Sequence, residues 1–195
     1  MENRVCSTTR NTNETKISLS LNIEGNGIFE GRTGIGFFDH MLNLFTKHGE
    51  FSLMLEVKGD LEIDGHHTVE DVGIVLGEAF KIALGDKKGI ARYGDIILPM
   101  DEALIMVALD LGGRPYLNFN AEMPVSLLGN FETELVEEFL RAFTMTCGLN
   151  LHVKLLEGKN THHIIEGIFK GFARSLKKAV RNTGSNEIPS TKGSL

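Results

Sequence analysis

Hydrophobic residues recur at every third or fourth position in four separate stretches of the chain. This period matches one face of an amphipathic α-helix, so the pattern predicts four helices. Glycine commonly ends a helix, and Gly85 and Gly184 are expected to stop the two longer ones. The predicted helices span residues 37–48, 69–84, 135–147 and 164–180.

Strands are predicted where apolar residues occupy alternate positions, because a period of two places them on one face of a strand. The clearest alternation joins Phe51, Leu53, Leu55 and Val57, and residues 149–155 repeat it in the second half of the chain. Further strands are expected before each helix–strand–helix unit. They span residues 4–9, 16–23, 93–99, 104–111 and 115–121.

The order of the predicted elements occurs twice, which indicates an internal repeat. Residues 39–46 align with 137–144, and a gap of two residues then brings 66–70 onto 162–166. Few residues are identical, but the same types of element follow one another in both halves. The chain has no linker long enough to make the halves independent.

The repeat predicts an α+β fold in which two small sheets pack on a central layer of helices. We assign residues 1–91 to the first half-repeat, and residues 92–195 to the second half-repeat with a polar C-terminal tail. The two halves together are expected to form one compact catalytic unit.

Composition and charge exclude several classes of protein. The 195 residues have a formal net charge of −6, whereas a nucleic-acid-binding surface needs a basic face. The longest apolar runs are far too short to cross a bilayer, and the polar segment 1–10 lacks the apolar core of a secretion signal. Cys6 and Cys147 show no disulfide or metal spacing. We therefore expect a cytoplasmic protein without nucleic-acid or membrane partners, whose 22 glycines form tight turns.

Four of the seven histidines form two adjacent pairs, and each pair is followed three residues later by a glutamate. Positions four apart lie on one face of a helix, so His66 can share an ion with Glu70. His162 can do the same with Glu166. Imidazole and carboxylate ligands suit Mn, Fe, Zn or Co, and the ligand types alone do not select one of them.

The second histidine of each pair predicts a second metal position. His67 and His163 point about a quarter-turn away from the first histidines of their pairs and cannot easily serve the same ion. His40 and Glu138 occupy equivalent places in the two halves and are expected to complete the ligand shells. The sequence therefore predicts a site with two transition-metal ions.

Three basic residues are candidates for binding an anionic substrate. Arg92 precedes a predicted strand, Arg114 follows a glycine turn between two strands, and Lys192 lies in the tail close to Ser190. Arginine binds phosphate in a fork geometry, and a serine hydroxyl adds a donor. Each of them taken singly also fits a solvated surface residue, so this pattern predicts only a few anion contacts.

Eight motifs, distributed over nearly the whole chain, resemble those of the imidazoleglycerol-phosphate dehydratase family of histidine biosynthesis. One of them is the run DGHHTVED at residues 64–71, which contains the first histidine pair. Motifs of this length and order are highly specific. They span residues 10–15, 36–42, 64–71, 92–94, 99–103, 113–116, 162–166 and 189–193.

The resemblance implies a dehydratase that converts D-erythro-imidazole-glycerol phosphate to imidazole-acetol phosphate and water. It also implies two Mn(II) ions per active site, with other divalent transition metals possible, and a duplicated fold like domain 2 of ribosomal protein S5. It further implies a homo-oligomer, in which trimers assemble into a shell of 24 subunits with active sites at subunit contacts.

The resemblance also assigns site residues by motif. Position 138 departs from the family, which usually has histidine there, although a glutamate oxygen can still bind a hard divalent ion. The implied metal ligands are His40, His66, His67, Glu70, Glu138, His162, His163 and Glu166. The implied substrate contacts are Glu14, His48, Arg92, Arg114, Lys170, Ser190 and Lys192.

The implied reaction explains why two metal ions are useful. The proton to be removed from carbon is not acidic, because no carbonyl group lies beside it. If metal ions at both ring nitrogens stabilise an imidazolate, the ring can expel the neighbouring hydroxyl group. Glu14 is expected to take the ring proton. The acid that protonates the departing hydroxyl is left open between metal-bound water and a ligating carboxylate such as Glu70 or Glu166.

Two other functions fit the same ligands. A di-metal hydrolase such as a phosphatase would use the ions to activate water, and would release phosphate instead of a ketone. A structural or storage shell would use the ions to join subunits, and would assemble on metal addition without turnover. The arginines and the tail around Ser190 and Lys192 favour catalysis.

Overall fold

The computed structural model describes residues 4–195, in which four helices lie between two four-stranded sheets. Of the polar segment predicted to lack a secretion signal, residues 1–3 lie outside the described residues. The first half contains Val5–Asn11 (β1), Thr15–Asn22 (β2), Ile28–Arg32 (β3), Gly36–Gly49 (α1), Ser52–Gly59 (β4) and His66–Leu84 (α2). The second half contains Tyr93–Met100 (β5), Ala103–Asp110 (β6), Tyr116–Asn120 (β7), Leu127–Leu128 (β8), Phe131–Glu132 (β9), Leu135–Cys147 (α3), Asn150–Glu157 (β10) and Thr161–Val180 (α4).

The two sheets have the same topology, which confirms the predicted duplicated α+β fold. The first sheet has the strand order β1-β2-β4-β3, and the second has the equivalent order β5-β6-β10-β7. In each sheet the first two pairs of neighbouring strands are antiparallel, and the third pair is parallel. The proposed boundary between residues 91 and 92 falls between α2 and β5, and it stays a prediction.

Three short strands were not predicted from the sequence. In β3, only Phe29 is partly buried, and the other four residues are exposed. The strand also contains Gly31, and it lies at the edge of the sheet, where it pairs in parallel with β4 alone. An exposed edge strand needs no apolar face, so it leaves no alternating pattern. The two-residue strands β8 and β9 are too short to show one.

Both long helices begin three residues before their predicted starts. A polar side chain just before each helix supports this extension, because it accepts a hydrogen bond from a backbone N–H in the first turn. Asn160 is the cap residue of α4, whereas Asp64 lies one residue before Gly65, the cap residue of α2. Asp64 accepts from the N–H of His66 at 2.8 Å, and Asn160 accepts from the N–H of His162 at 2.9 Å. Both histidine pairs therefore lie in first helical turns rather than before them.

Of the two glycines predicted to end the long helices, Gly85 does so and Gly184 does not. Gly85 does follow α2, with a φ of 54° that favours glycine. Gly184 was wrongly predicted to stop α4, because the helix ends at Val180 and the backbone of Arg181 is already extended.

Four phenylalanine rings, one from each helix, meet in the central layer. The Phe172 ring of α4 lies 5.5 Å from the Phe45 ring of α1 and 5.1 Å from the Phe143 ring of α3, and Phe80 of α2 lies 5.4 Å from Phe143. All four are fully buried, so the apolar faces of the helices face each other and the sheets. Within the described part of the chain, no helix is both long enough and apolar enough to span a bilayer.

Several glycines lie inside helices, so the expectation that glycines form tight turns is only partly right. Gly73 and Gly77 lie on the face of α2 that packs against α3. A Cβ atom at Gly73 would lie 2.8 Å from the carbonyl oxygen of Phe139, and one at Gly77 would lie 2.7 Å from that of Phe143. Any larger residue would therefore push the two helices apart. These glycines permit close helix packing.

The starts of all four helices lie at the same end of the protein. A Cβ atom at Gly65, before α2, would lie 3.1 Å from Ile35 at the start of α1 and 3.2 Å from Leu135 at the start of α3. The ring of Phe37 in α1 lies 5.3 Å from the ring of His162 in α4. Since the candidate ligands occupy the beginnings of these helices, the fold directs them all toward this end.

Candidate metal centre

Three predicted ligands from opposite halves of the chain come together at the start of the helices. The Nε2 atom of His40, on α1, lies 2.8 Å from an oxygen of Glu166, on α4. The Nε2 atom of His162 lies 3.2 Å from the same oxygen. One potential ligand atom from each of the three residues lies within 4.8 Å of the others. Two imidazoles and one carboxylate are a donor set that suits a divalent transition metal, so these residues fit the implied ion.

The carboxylate of Glu166 is charged and well buried. Only 7% of the residue is exposed to solvent. Burial acts to raise its pKa, but hydrogen bonds from Lys170, His40 and His162 outweigh burial and bring the pKa to about 2. The ammonium group of Lys170 lies 2.5 Å from the second oxygen of Glu166. Lys170, expected to contact substrate, therefore also holds this carboxylate in place.

The matching ligands of the other half do not form an equivalent cluster. His66 and Glu70 lie four positions apart in the first turns of α2, as predicted. Glu138, on α3, instead lies 4.0 Å from the guanidinium of Arg141. Within residues 4–195, only His40, His162 and Glu166 form a group of three or more potential ligands. The assignment of Glu138 as a ligand stays a prediction.

The second histidine of each pair contacts a carboxylate that sequence reasoning missed. The Nδ1 atom of His67 lies 2.9 Å from Asp60, and the Nδ1 atom of His163 lies 2.6 Å from Glu102. Each hydrogen bond raises the pKa of its histidine, and the bond to His163 brings the pKa of Glu102 to about 2. Glu102 is 61 positions away from His163, and Asp60 lies in a loop 7 positions before His67, so no helix or strand spacing links either pair.

The Nε2 atoms of the same two histidines each face another carboxylate. Glu14 lies 3.7 Å from Nε2 of His67, and Asp101 lies 3.6 Å from Nε2 of His163. The two carboxylates occupy equivalent hairpin turns of the duplicated fold, because Glu14 lies between β1 and β2 and Asp101 lies between β5 and β6. Sequence reasoning identified Glu14 and missed Asp101.

The turn that carries Glu14 is fixed to the helix that carries the first histidine pair. The buried Asp71, next to Glu70 on α2, accepts hydrogen bonds from the hydroxyl of Thr15 and, at 2.8 Å, from Nε of Arg10. Thr12 accepts a hydrogen bond from the backbone N–H of Glu14 at 3.2 Å. These contacts hold Glu14 beside His67.

The predicted phosphate contacts form a separate cluster. Nε of Arg92 donates to Asp110 at 2.7 Å, and one terminal nitrogen of the guanidinium donates to the carbonyl oxygen of Pro189 in the tail at 2.7 Å. The end of the tail returns to the turn before Arg114, because a Cβ atom at Gly113 would lie 2.8 Å from the backbone of Leu195. The tail that carries Ser190 and Lys192 therefore contacts Arg92, and its last residue lies beside the turn that leads to Arg114.

The arginine cluster and the metal ligands lie at opposite ends of α4. The backbone N–H of Arg92 donates to the carbonyl oxygen of Ala179, near the end of that helix. Glu166 lies in its first turns, 13 positions before Ala179. At a rise of 1.5 Å per residue, the two clusters are about 20 Å apart within one chain.

His48 belongs to neither group and lies near the end of α1. It lines a cavity of about 670 Å³ together with several basic residues, including Lys47, Arg174 and Lys177. Burial lowers the pKa of His48, and the nearby charges of Lys170 and Arg174 lower it further. A neutral imidazole can accept a hydrogen bond, and the role of His48 as a substrate contact stays a prediction.

Comparison with known protein families gives a match over most of the chain. The family described as imidazoleglycerol-phosphate dehydratase matches residues 33–176. An imidazoleglycerol-phosphate dehydratase from Acetivibrio thermocellus is 63% identical over 95% of this chain and 96% of its own length. One from Desulforamulus reducens is 55% identical over the full length of both chains.

A solved structure shows the same likeness in three dimensions. The crystal structure of imidazoleglycerol-phosphate dehydratase from Staphylococcus aureus superposes with a TM-score of 0.84 at 42% sequence identity. The superposition covers 92% of this chain and 99% of that one.

Proposed function

This chain belongs to the imidazoleglycerol-phosphate dehydratase family, and from that premise we propose that it converts D-erythro-imidazole-glycerol phosphate to imidazole-acetol phosphate and water in the cytoplasm. Its relatives are dehydratases of histidine biosynthesis, so it is a carbon–oxygen lyase by family. The single observation that carries the proposal is the group formed by His40, His162 and Glu166, which fits a divalent ion at the shared end of the helices.

We propose that two Mn(II) ions bind per active site. The donor set admits other divalent transition metals as well. His40, His162 and Glu166 would hold one ion, and His66, Glu70 and Glu138 are the matching residues for the other. When bound, the ions would lower the pKa of the ring N–H of an imidazole substrate. His67 and His163 would complete the two shells.

The remaining residues would bind and orient the substrate and move its protons. The guanidinium groups of Arg92 and Arg114, with Ser190 and Lys192, offer donors to a phosphate group. Asp110 holds Arg92 through two of its nitrogens, which fixes the orientation of the guanidinium fork. Anchoring the phosphate would position the ring at the metal end, and this orientation contributes to the rate. Glu14, beside His67, would accept the ring proton.

The distance between the two clusters supports an active site shared between subunits. A three-carbon chain with an imidazole ring at one end and a phosphate at the other extends about 10 Å, given carbon–carbon bonds of about 1.5 Å. The arginine cluster and Glu166 are separated by about twice that length within one chain. One substrate molecule could therefore reach both sets only if they come from different copies. We propose a homo-oligomer, with trimers assembled into a shell of 24 subunits.

Product analysis tests the reaction. Purified protein loaded with Mn²⁺ is incubated with imidazole-glycerol phosphate and, separately, with p-nitrophenyl phosphate. Ketone formation from the first substrate without phosphate release from either is the expected result. Phosphate release without ketone would instead indicate a di-metal hydrolase and would overturn the proposal.

Removal of the ions should both abolish turnover and reduce the size of the assembly. An ion held jointly by residues of different subunits would stabilise the assembled state by mass action. Light scattering before and after dialysis against EDTA is expected to show dissociation of the shell, with recovery on addition of Mn²⁺. Dialysis without chelator is the control. An assembly of unchanged size after complete removal of the ions, verified by elemental analysis, would contradict the idea that metal joins the subunits.

A further inference from the structure

We propose that Asp60 and Glu102 are positioning residues that keep the Nδ1 atoms of His67 and His163 protonated, so that Nε2 is the nitrogen available to a divalent ion. This inference rests on the proposed function insofar as it requires the two histidines to bind metal. It adds two residues, neither of which is itself a proposed ligand, and it specifies which ring nitrogen of each histidine coordinates.

The hydrogen-bond chemistry of the two contacts defines the tautomer. A neutral imidazole has one nitrogen that donates and one that accepts. An ionised carboxylate only accepts, so the nitrogen that it contacts must carry the hydrogen. The carboxylates lie 2.9 Å and 2.6 Å from Nδ1 of His67 and His163. In both rings, therefore, Nδ1 donates and Nε2 retains the lone pair that a metal ion needs.

The two halves of the fold reach this arrangement from different loops. Asp60 directly follows β4, and the residue that directly follows the equivalent strand β10 is Gly158. Glu102 directly precedes β6, and the residue that directly precedes the equivalent strand β2 is Glu14. If the two carboxylates were inherited from the duplication, they would occupy equivalent positions in the two halves. They do not, so the duplication does not explain them. The shared feature is the contact with Nδ1, which points to a requirement of the histidines.

The two carboxylates differ in how they are held, and this difference makes the proposal testable. Oε1 of Glu102 accepts hydrogen bonds from the backbone N–H groups of Asn160, at 2.8 Å, and Lys159, at 3.3 Å. Those groups can only donate, so in a Glu102→Gln variant the amide oxygen must take the Oε1 position. The NH₂ group would then replace Oε2 and face Nδ1 of His163 as a donor.

Asp60 has no such constraint. Its Oδ2 atom contacts His67, whereas Oδ1 is buried without a hydrogen-bond partner among the described residues. In an Asp60→Asn variant the amide can therefore rotate and still present its oxygen to Nδ1. Both substitutions remove one negative charge. Asp60→Asn should nevertheless keep the tautomer of His67, whereas Glu102→Gln should reverse the tautomer of His163.

Binding of Mn²⁺ to metal-free protein tests the proposal. Equilibrium dialysis followed by elemental analysis gives the Mn²⁺ dissociation constants of the two metal sites. Glu102→Gln is expected to weaken Mn²⁺ binding at the site of His163 by about 100-fold. Asp60→Asn is expected to weaken binding at the site of His67 by about 10-fold or less. Both values lie within the range typical of residues that hydrogen-bond to metal-binding histidines. Glu62→Gln and Glu157→Gln, which alter exposed carboxylates close in sequence to each site, are matched controls and should bind as the wild type does.

Three results would overturn the proposal. Equal weakening by Glu102→Gln and Asp60→Asn would mean that only charge matters. Binding in Glu102→Gln as tight as in the wild type would mean that the contact has no role in binding. A fall in the melting temperature of the metal-free Glu102→Gln variant that accounts for the lost binding would mean a structural role only. Wild-type protein that binds two Mn²⁺ ions without dehydrating imidazole-glycerol phosphate would refute the proposed function and leave this inference standing.

Discussion

The Glu166→Gln variant is expected to lose one of the two divalent ions and to lower kcat/KM by about 10³-fold or more, because both the ion and the orientation it imposes on the substrate are lost. In the wild-type chain this buried carboxylate receives hydrogen bonds from Lys170, His40 and His162, which hold its pKa at about 2. A neutral amide would neither attract a cation nor balance the ammonium of Lys170, which lies only 2.5 Å away.

Elemental analysis of the purified variant measures the ion content, and steady-state kinetics measure kcat/KM. The matched control is Glu78→Gln, which changes an exposed carboxylate on α2 and should keep the full ion content and activity. Full occupancy of both ions in Glu166→Gln would remove this residue from the ligand set. A thermal melt of both metal-free variants separates loss of the ion from loss of the fold.

The Glu14→Gln variant is expected to lose turnover while keeping both ions. Replacing a general base by an amide removes the proton acceptor, and kcat is expected to fall by about 10²- to 10⁴-fold. The amide has nearly the same size as the carboxylate, so KM should change little. The turn that carries position 14 is held by Asp71 and Thr12, which the substitution leaves intact.

Single-turnover kinetics and metal analysis of Glu14→Gln test this expectation. Glu56→Gln, on an exposed position of β4, is the control. If the variant retained most of its kcat, Glu14 would not be the base. If it instead lost an ion, Glu14 would be a ligand, in line with its distance of 3.7 Å from Nε2 of His67.

The comparison of these two variants also distinguishes two roles for carboxylates at the metal end. Glu166 is buried and forms part of a ligand group, whereas the side chain of Glu14 is half exposed and lies beside a ligand. Loss of activity with loss of metal is expected for the first, and loss of activity alone for the second. Identical behaviour of the two variants would contradict this division.

Periodic patterns predicted the helices well, because each helix buries one apolar face against the others or a sheet. The starts of α2 and α4 were placed three residues late, since His66 and His162 are polar and add nothing to an apolar period. The edge strand β3 was missed for a related reason, because four of its five residues are exposed. The sequence thus predicted those helices and strands that bury a regular apolar face.

The carboxylates behind the second histidines could not be predicted. Asp60 lies in a loop and Glu102 in a hairpin turn, and both positions admit many polar residues. Only the packed structure shows that each lies against an Nδ1 atom. The internal repeat gave no help, because the two residues are not equivalent within it.

The sequence by itself determined the ligand pairs that lie within a single helix. His162 and Glu166 are four positions apart, and the regular geometry of the α-helix brings such residues to one face wherever the helix lies. The tertiary structure decided that His40, 126 positions away from Glu166, joins them. It also decided that the arginine cluster lies about 20 Å away along α4. The relative positions of residues within one helix follow from their spacing in the sequence, whereas distances between separate elements depend on how the whole core packs.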